Sequence, residues 1–282
     1  MNLELAGKSV FVTGASGGIG RALATEFAAE GAHLTLCGGT QTAELERWVA
    51  TQPWRERALV VRADTTSVVE ISVAMERARE HFGRVDVCVA NAGKWTPEAK
   101  LLHRVDEERI RRNIEVNLFG SLWTARAFFD VLSRTQVRKD GHGPCLVFIG
   151  STAARFGEKG HAEYSAGKAA LYGLLRTLKN EIVELDPWGR VNLVEPGWTV
   201  THMARPALDE PGTIARVVRT MPLRQLGRAC DVARAVLVLS SHAASRHVTG
   251  EVVTIAGGME GRVLWDGEDV DEACVRRRID QD

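Results

Sequence analysis

Net charge is the first thing this chain lacks: 36 lysines and arginines are offset by 36 aspartates and glutamates, so the formal charge at pH 7 is zero. With no bulk field to draw it to polyanions, neither nucleic acid nor an anionic membrane is an expected partner. Long apolar runs are missing as well. No stretch of about 18 apolar residues occurs, which argues against a membrane-spanning helix. The opening segment, MNLELAGKSVFVTGAS, has one lysine and no extended apolar stretch before its glycines, so no secretory signal is expected and a cytoplasmic location is. Cysteine is scarce. The five present (Cys37, Cys88, Cys145, Cys230 and Cys274) are odd in number and far apart, with no CxxC pair, which speaks for reduced core thiols and against a disulfide framework or a thiolate metal site. The eight histidines show no HxxxH or HxH spacing, so no metal site is expected.

What remains is an ordinary globular composition, 45% apolar and 26% charged, sufficient to bury a core. Seven short runs rich in Val, Leu and Ile recur: Lys8–Thr13, His33–Cys37, Ala58–Arg62, Val85–Ala90, Cys145–Gly150, Arg190–Glu195 and Glu251–Ile255. Most are continuously apolar and not alternating, the pattern of parallel strands covered on both faces. Helical patterns lie between them, at Gly20–Glu30, Val68–Phe82, Glu107–Ser133, Ala162–Leu185 and Asp231–Ser240. This alternation predicts a doubly wound α/β sheet with right-handed crossovers. No linker or repeat divides the chain, so one domain is expected over residues 1–260. Two segments interrupt the rhythm. Residues 198–228 carry three prolines and are expected to form a substrate loop; residues 261–282, with seven acidic and four basic side chains, read as a solvated tail.

After the first strand comes Thr13-Gly14-Ala15-Ser16-Gly17-Gly18-Ile19-Gly20, directly before a helix. Glycine there allows a tight bend and close approach of backbone N–H groups to a ligand, and a pyrophosphate can rest on the helix N-terminus. A plain strand-to-helix turn has the same outline. The spacing is TGxxxGxG, and with it stand Asp64 after the third strand, Asn91-Ala92-Gly93 after the fourth, Asn117 within a helix, Ser151 at the end of the fifth strand, Tyr164 and Lys168 as YxxxK, and Pro196-Gly197 with Thr201 after the sixth. In this order the motifs resemble the short-chain dehydrogenase/reductase family over about residues 7–258. The resemblance implies a Rossmann-like sheet of about seven parallel strands and an NAD or NADP cofactor. It also implies cofactor contacts from Gly14, Ser16, Gly18, Ile19, Gly20, Asp64, Thr65, Asn91, Ala92, Gly93, Tyr164, Lys168, Pro196, Gly197, Thr199 and Thr201.

Tyr164 and Lys168 are four residues apart on one helix and so share a face. Hydride exchange at a carbinol carbon requires a proton to move at its oxygen, and a phenol with a pKa of about 10 is a poor base at neutral pH. Lowering it by about three units needs about 4 kcal/mol, roughly what one ammonium about 4 Å away supplies at an effective dielectric near 20. An acidified Tyr164 is therefore expected. By the resemblance, Tyr164 is the acid or base, Lys168 tunes it and binds the nicotinamide ribose, Ser151 holds the substrate oxygen, and Asn117 anchors a proton-relay water. Thr152, next to Ser151, is a second candidate hydroxyl; spacing favours Ser151. Tyr172 reads as a core or subunit contact.

The sequence departs from the family where cofactor choice is made. The end of the second strand reads Cys37-Gly38-Gly39-Thr40-Gln41 and the glycine turn carries Ser16-Gly17. Neither an acid for NAD nor a base for NADP is present; with no arginine to hold a 2′-phosphate NAD is slightly favoured, and Thr40 could serve that phosphate by hydrogen bonding. Ala256-Gly257-Gly258 replaces the usual Asp-Gly-Gly. Trp95, Phe156, Trp198 and Met203 are candidate substrate contacts, with Arg155, His202 and Arg205 as candidate polar handles; packing is the commoner role for each, and Trp198, directly after Pro196-Gly197, has the best case. The reading is an NAD(P)-dependent alcohol dehydrogenase or ketoreductase for a small substrate. Its alternatives are a 3-oxoacyl thioester reductase, a cyclic dihydrodiol dehydrogenase and a non-catalytic dinucleotide-binding regulator. The resemblance also implies a homotetramer or homodimer.

Overall fold

The computed structural model describes residues 2–279. Seven parallel strands form one sheet: β1 (Ser9–Thr13), β2 (His33–Gly38), β3 (Ala58–Arg62), β4 (Val87–Ala90), β5 (Cys145–Ile149), β6 (Arg190–Pro196) and β7 (Val252–Ile255). Their order is β3-β2-β1-β4-β5-β6-β7. The chain reverses its direction of winding between β1 and β4, and that switch point opens a crevice at the carboxyl ends of the strands.

Side chains alternate along each strand between two apolar layers. Val10, Val12, Val87, Val89, Val147 and Ile149 pack with α1 (Gly18–Ala29), α2 (Thr42–Ala50) and α7 (Ala229–Ser240), through Leu23, Phe27, Leu45 and Val236. Phe11, Cys88, Leu146 and Phe148 pack with α3 (Val68–Phe82), α5 (Gly120–Ser133) and α6 (Ala162–Leu185), through Ile71, Met75, Phe128 and Leu175. Covering both faces is what makes the strands read as unbroken apolar runs. All five cysteines are free, and Cys37, Cys88 and Cys145 are buried.

Three segments differ from expectation. The pattern over 107–133 is not one helix: α4 (Glu107–Ile114) passes through a π-helical turn at Glu115–Phe119 into α5. The 198–228 segment is closed at its base by a two-residue parallel bridge, Thr199–Val200 with Gly227–Arg228, and carries short helices at Arg205–Leu208 and Thr213–Val218. The stretch after residue 260, expected to be a solvated tail, forms α8 (Glu272–Ile279), its last residues, 280–282, lying outside the described region. Val275 of α8 is buried with Leu208, Ile214 and Val218. The Trp265 carbonyl accepts from Arg219 Nε at 2.7 Å, and its indole donates to Met221 O at 2.9 Å. Four apolar side chains are thereby removed from water, enough to hold an otherwise polar segment on the fold.

Candidate active site

The glycine turn and the turn after β4 are stitched together. Asn91 Nδ2 donates to Thr13 O at 2.8 Å and to Gly14 O at 3.1 Å, while the amides of Asn91 and Ala92 donate to Thr13 Oγ1 at 3.0 and 3.1 Å. Gly14 has φ +63°, and a Cβ there would lie 2.8 Å from Ala92 Cα. A Cβ at Gly20 would lie 2.3 Å from Gly14 O, and one at Gly18 would meet the Thr201 side chain at 3.0 Å. Glycine is thus required by contact as well as by conformation. Helix α1 begins here with Gly17 as its cap, no side-chain cap and no acid in its first turn. Its first amides are left for an anion. An uncapped helix start beside a glycine cradle fits a dinucleotide's pyrophosphate.

The other predicted cofactor residues are distributed around this turn. Ser16 and Ile19 are half-buried within it. Asp64 Oδ1 accepts from Thr66 N at 2.9 Å and Thr66 Oγ1 at 2.8 Å, so its carboxyl is held below the usual range, mainly by the Thr66 amide. Thr65 is buried against α5, where a Cβ at Gly120 would lie 2.9 Å from its Oγ1. Pro196 ends β6. Gly197 N donates to Ile255 O at 2.9 Å, and Thr199 Oγ1 donates back to Gly197 O at 3.0 Å. Arg62, which sequence reasoning passed over, is exposed and in register with Gly38 at the end of β2.

The four predicted catalytic residues converge at the ends of β4 and β5. Ser151 caps the turn after β5, its Oγ accepting from Ala153 N at 3.1 Å. Tyr164 stands in the first turn of α6, and the Ser151 side chain acts on its phenol, lowering its pKa. Thr152 is buried, which leaves Ser151 as the hydroxyl facing the phenol. One turn along α6, Lys168 Nζ donates to Ile149 O at 2.8 Å. Asn117 sits in the π-helical turn, fully buried. Its Oδ1 accepts from Lys94 N at 3.1 Å, and its Nδ2 donates to Lys94 O at 2.8 Å and Asn113 Oδ1 at 2.7 Å. Gly167 makes room for it, since a Cβ there would lie 3.2 Å from Asn117 Cβ. Gly93 lies between the lysine and the asparagine: a Cβ would be 3.1 Å from both Lys168 Nζ and Asn117 Oδ1.

The expected acidification of Tyr164 is not what this site displays. Burial pushes the phenol up to about 12; the Ser151 side chain pulls it down and the charge of Glu158 pushes it further up. Burial also brings Lys168 down to about 8. Desolvation outweighs the attraction assumed from spacing, and the ammonium is engaged by the Ile149 carbonyl.

Trp95 and Trp198, two of the candidate substrate contacts, meet edge to face at 5.9 Å. Arg155 is turned to Thr254 Oγ1 at 3.2 Å and over the Phe156 ring, while His202 and Met203 are exposed. Glu158 and His161 join Trp95: its Nε1 donates to Glu158 Oε2 at 3.3 Å, and its ring stacks on His161 at 5.1 Å. No metal-holding cluster of His, Cys, Asp and Glu occurs among the described residues, and none of their helices is long and apolar enough to cross a membrane.

A family model described as short chain dehydrogenase matches residues 8–212. The chain belongs to the short-chain dehydrogenase family. Members similar to it include the 3-oxoacyl-(acyl-carrier-protein) reductase FabG of Escherichia coli, 34% identical over 259 residues, covering 92% of this chain and 99% of the relative. The 7alpha-hydroxysteroid dehydrogenase of Escherichia coli is 32% identical over 257 residues, with 91% and 96% covered. Among solved structures, a short-chain dehydrogenase/reductase from Brucella melitensis superposes with a TM-score of 0.82 at 31% identity, covering 92% of this chain and 99% of that one. A 3-ketoacyl-(acyl-carrier-protein) reductase from Brucella melitensis complexed with NADH gives 0.78 at 26% identity, covering 90% and 99%. This short-chain dehydrogenase is thus an NAD(P)-dependent oxidoreductase on a Rossmann-like fold, as its motifs implied.

Proposed function

We propose that the chain interconverts a small alcohol and its ketone, with Tyr164 moving the proton at the substrate oxygen. The observation that carries this reading is the placement of Ser151 at the carboxyl end of β5 beside the first turn of α6, where Tyr164 stands one helical turn from Lys168, itself held on Ile149 O at 2.8 Å. A bound nicotinamide nucleotide supplies or accepts the hydride. In ketone reduction Tyr164 Oη gives its proton to the carbonyl oxygen while Ser151 Oγ holds that oxygen in place; in alcohol oxidation the proton returns to Tyr164. A phenol held near 12 remains protonated at neutral pH, so the free site is set for reduction. Lys168 holds the nicotinamide ribose, and Asn117, locked on Lys94, fixes the relay water beside it. The glycine turn from Gly14 to Gly20 takes the pyrophosphate on the start of α1.

NAD is the favoured nucleotide. Gly17 and Gly38-Gly39-Thr40 place no cation by the ribose, and Arg21 is committed to Glu44 Oε1 at 2.5 Å and to Ser16 O. A cytoplasmic homotetramer completes the proposal. The second reading, a 3-oxoacyl thioester reductase, is favoured by the identity to FabG. Parallel fluorescence titrations with NADH and NADPH, followed by reduction of a ketone panel that includes acetoacetyl-CoA, test both readings. Turnover confined to the thioester would replace the first reading by the second; R62A that abolishes a preference for NADPH would assign the phosphate to Arg62.

A further inference from the structure

Two loops meet beside Tyr164 and bring together a carboxylate and an imidazole, each with few partners. Gly157 and Gly160, at φ +75° and +89°, turn the chain after Ser151. Gly160 is pressed onto the loop after β4: a Cβ there would lie 2.7 Å from that of Ala99, and the Gly160 carbonyl accepts from Lys100 N at 3.0 Å. The turn so fixed presents Glu158, whose Oε1 is 3.6 Å from His161 Nδ1. The other ring nitrogen, Nε2, is 2.9 Å from Thr96 O. The imidazole thus bridges the turn and the loop after β4. Its Nδ1 is buried without a hydrogen-bond partner, in a residue 4% exposed. Glu158 has one hydrogen-bond donor, the Trp95 indole, and no paired arginine or lysine among the described residues. Its side chain is still 23% exposed. Trp95 and Trp198 wall the same place, and the influence of Glu158 on the Tyr164 phenol sets it within electrostatic reach of the reacting oxygen.

We propose that Glu158, positioned by Trp95 and His161, forms a polar subsite that accepts a hydrogen bond from a donor group, hydroxyl or ammonium, borne by the substrate next to the reacting carbon. This rests on the dehydrogenase reading and narrows its substrate to a ketone or alcohol with a neighbouring donor, as in a polyol or an amino alcohol. A half-buried carboxylate with a single donor discriminates between substrates, because one lacking the donor leaves it unmatched.

The test compares hydroxyacetone, aminoacetone and butanone, three ketones of nearly equal size, with the full chain and its preferred nucleotide. Wild-type kcat/KM is expected to favour a donor-bearing ketone over butanone by about ten- to hundred-fold, the worth of one charge-assisted hydrogen bond. E158L brings that ratio close to one, and the near-isosteric E158Q, which keeps an acceptor oxygen, retains part of it. Preference for hydroxyacetone names the hydroxyl as the donor; preference for aminoacetone names the ammonium. Where turnover of all three is slow, the rise in melting midpoint that each ketone gives the nucleotide complex is read in the same order. Equal handling by the wild type, or a ratio that survives in folded E158L, overturns the subsite and leaves the dehydrogenase reading standing. Failure to bind either nicotinamide nucleotide overturns that reading instead.

Discussion

Gly93→Ala adds one carbon where Asn117 and Lys168 come closest to the turn after β4. The new Cβ would lie 3.1 Å from Asn117 Oδ1, 3.1 Å from Lys168 Nζ and 3.6 Å from Lys168 Cε, whereas ordinary contacts begin at 3.4 Å. Both side chains must then retreat by a few tenths of an ångström. Neither is free to do so, because Nζ is held on Ile149 O at 2.8 Å and Oδ1 by Lys94 N at 3.1 Å. Overpacking of this kind costs about 1–3 kcal/mol, which in a chain of this size lowers the melting midpoint by roughly 2–12 °C. The catalytic cost is larger than the stability cost suggests, since a misplacement of about 1 Å can reduce the rate by about 100-fold. We expect kcat for ketone reduction, followed at the reduced nicotinamide absorbance, to fall by about ten- to hundred-fold, with circular dichroism showing a folded protein. Wild-type turnover by G93A would mean that the lysine and asparagine do not stand where they are placed here.

Gly14→Ala forces φ +63° on an alanine and drives its Cβ to 2.8 Å from Ala92 Cα. NADH binding by fluorescence titration should weaken by about five- to thirty-fold, the worth of about 1–2 kcal/mol of left-handed strain; unchanged affinity would separate the glycine turn from the nucleotide. Burial brings Lys168 down to about 8, so its ammonium is present below that pH and lost above it. Because kcat/KM for the nucleotide reports the free enzyme, its profile should fall on the alkaline side with a midpoint near 8, and a profile flat to pH 10 would refute the assignment. Val275→Asp buries a carboxylate among Leu208, Ile214 and Val218, a cost of about 3 kcal/mol. Proteolytic nicking within residues 198–228 should accelerate by about 100-fold, and an unchanged cleavage rate would show that α8 does not brace that segment.

The sheet was legible because strands covered on both faces leave continuous apolar runs, and six of the seven end within one residue of their expected bounds. The exception, β4, starts at Val87 instead of Val85. Helix α3 was legible at both ends: Ser67 caps it by accepting from Glu70 N, and Gly83 at φ 79° terminates it. Helix α2 was overlooked. It is only nine residues long, and it can follow β2 closely because Gly38 has no Cβ, which would lie 2.9 Å from Thr42 Oγ1. The π-helical turn that aims Asn117 at Lys94 left no mark in the helical pattern around it. Motif order pointed to Ser151, Tyr164, Lys168 and Asn117, which the fold brings together, since the glycines that let them meet are local features. The direction of the Tyr164 shift was not legible, because spacing reports the nearby ammonium and says nothing of the water removed from the phenol. Glu158 and His161 escaped notice for a similar reason: they matter through their meeting with Trp95, 63 and 66 residues earlier in the chain.

One measurement bears most directly on the central claim, that Tyr164 moves the proton which accompanies hydride transfer. In single turnover with prebound NADH, Tyr164→Phe should keep nucleotide affinity within about two-fold while the hydride-transfer rate drops by about 10²–10⁴-fold, the usual worth of a positioned acid. A Tyr164→Phe enzyme that reduces its ketone at the wild-type rate would contradict the account.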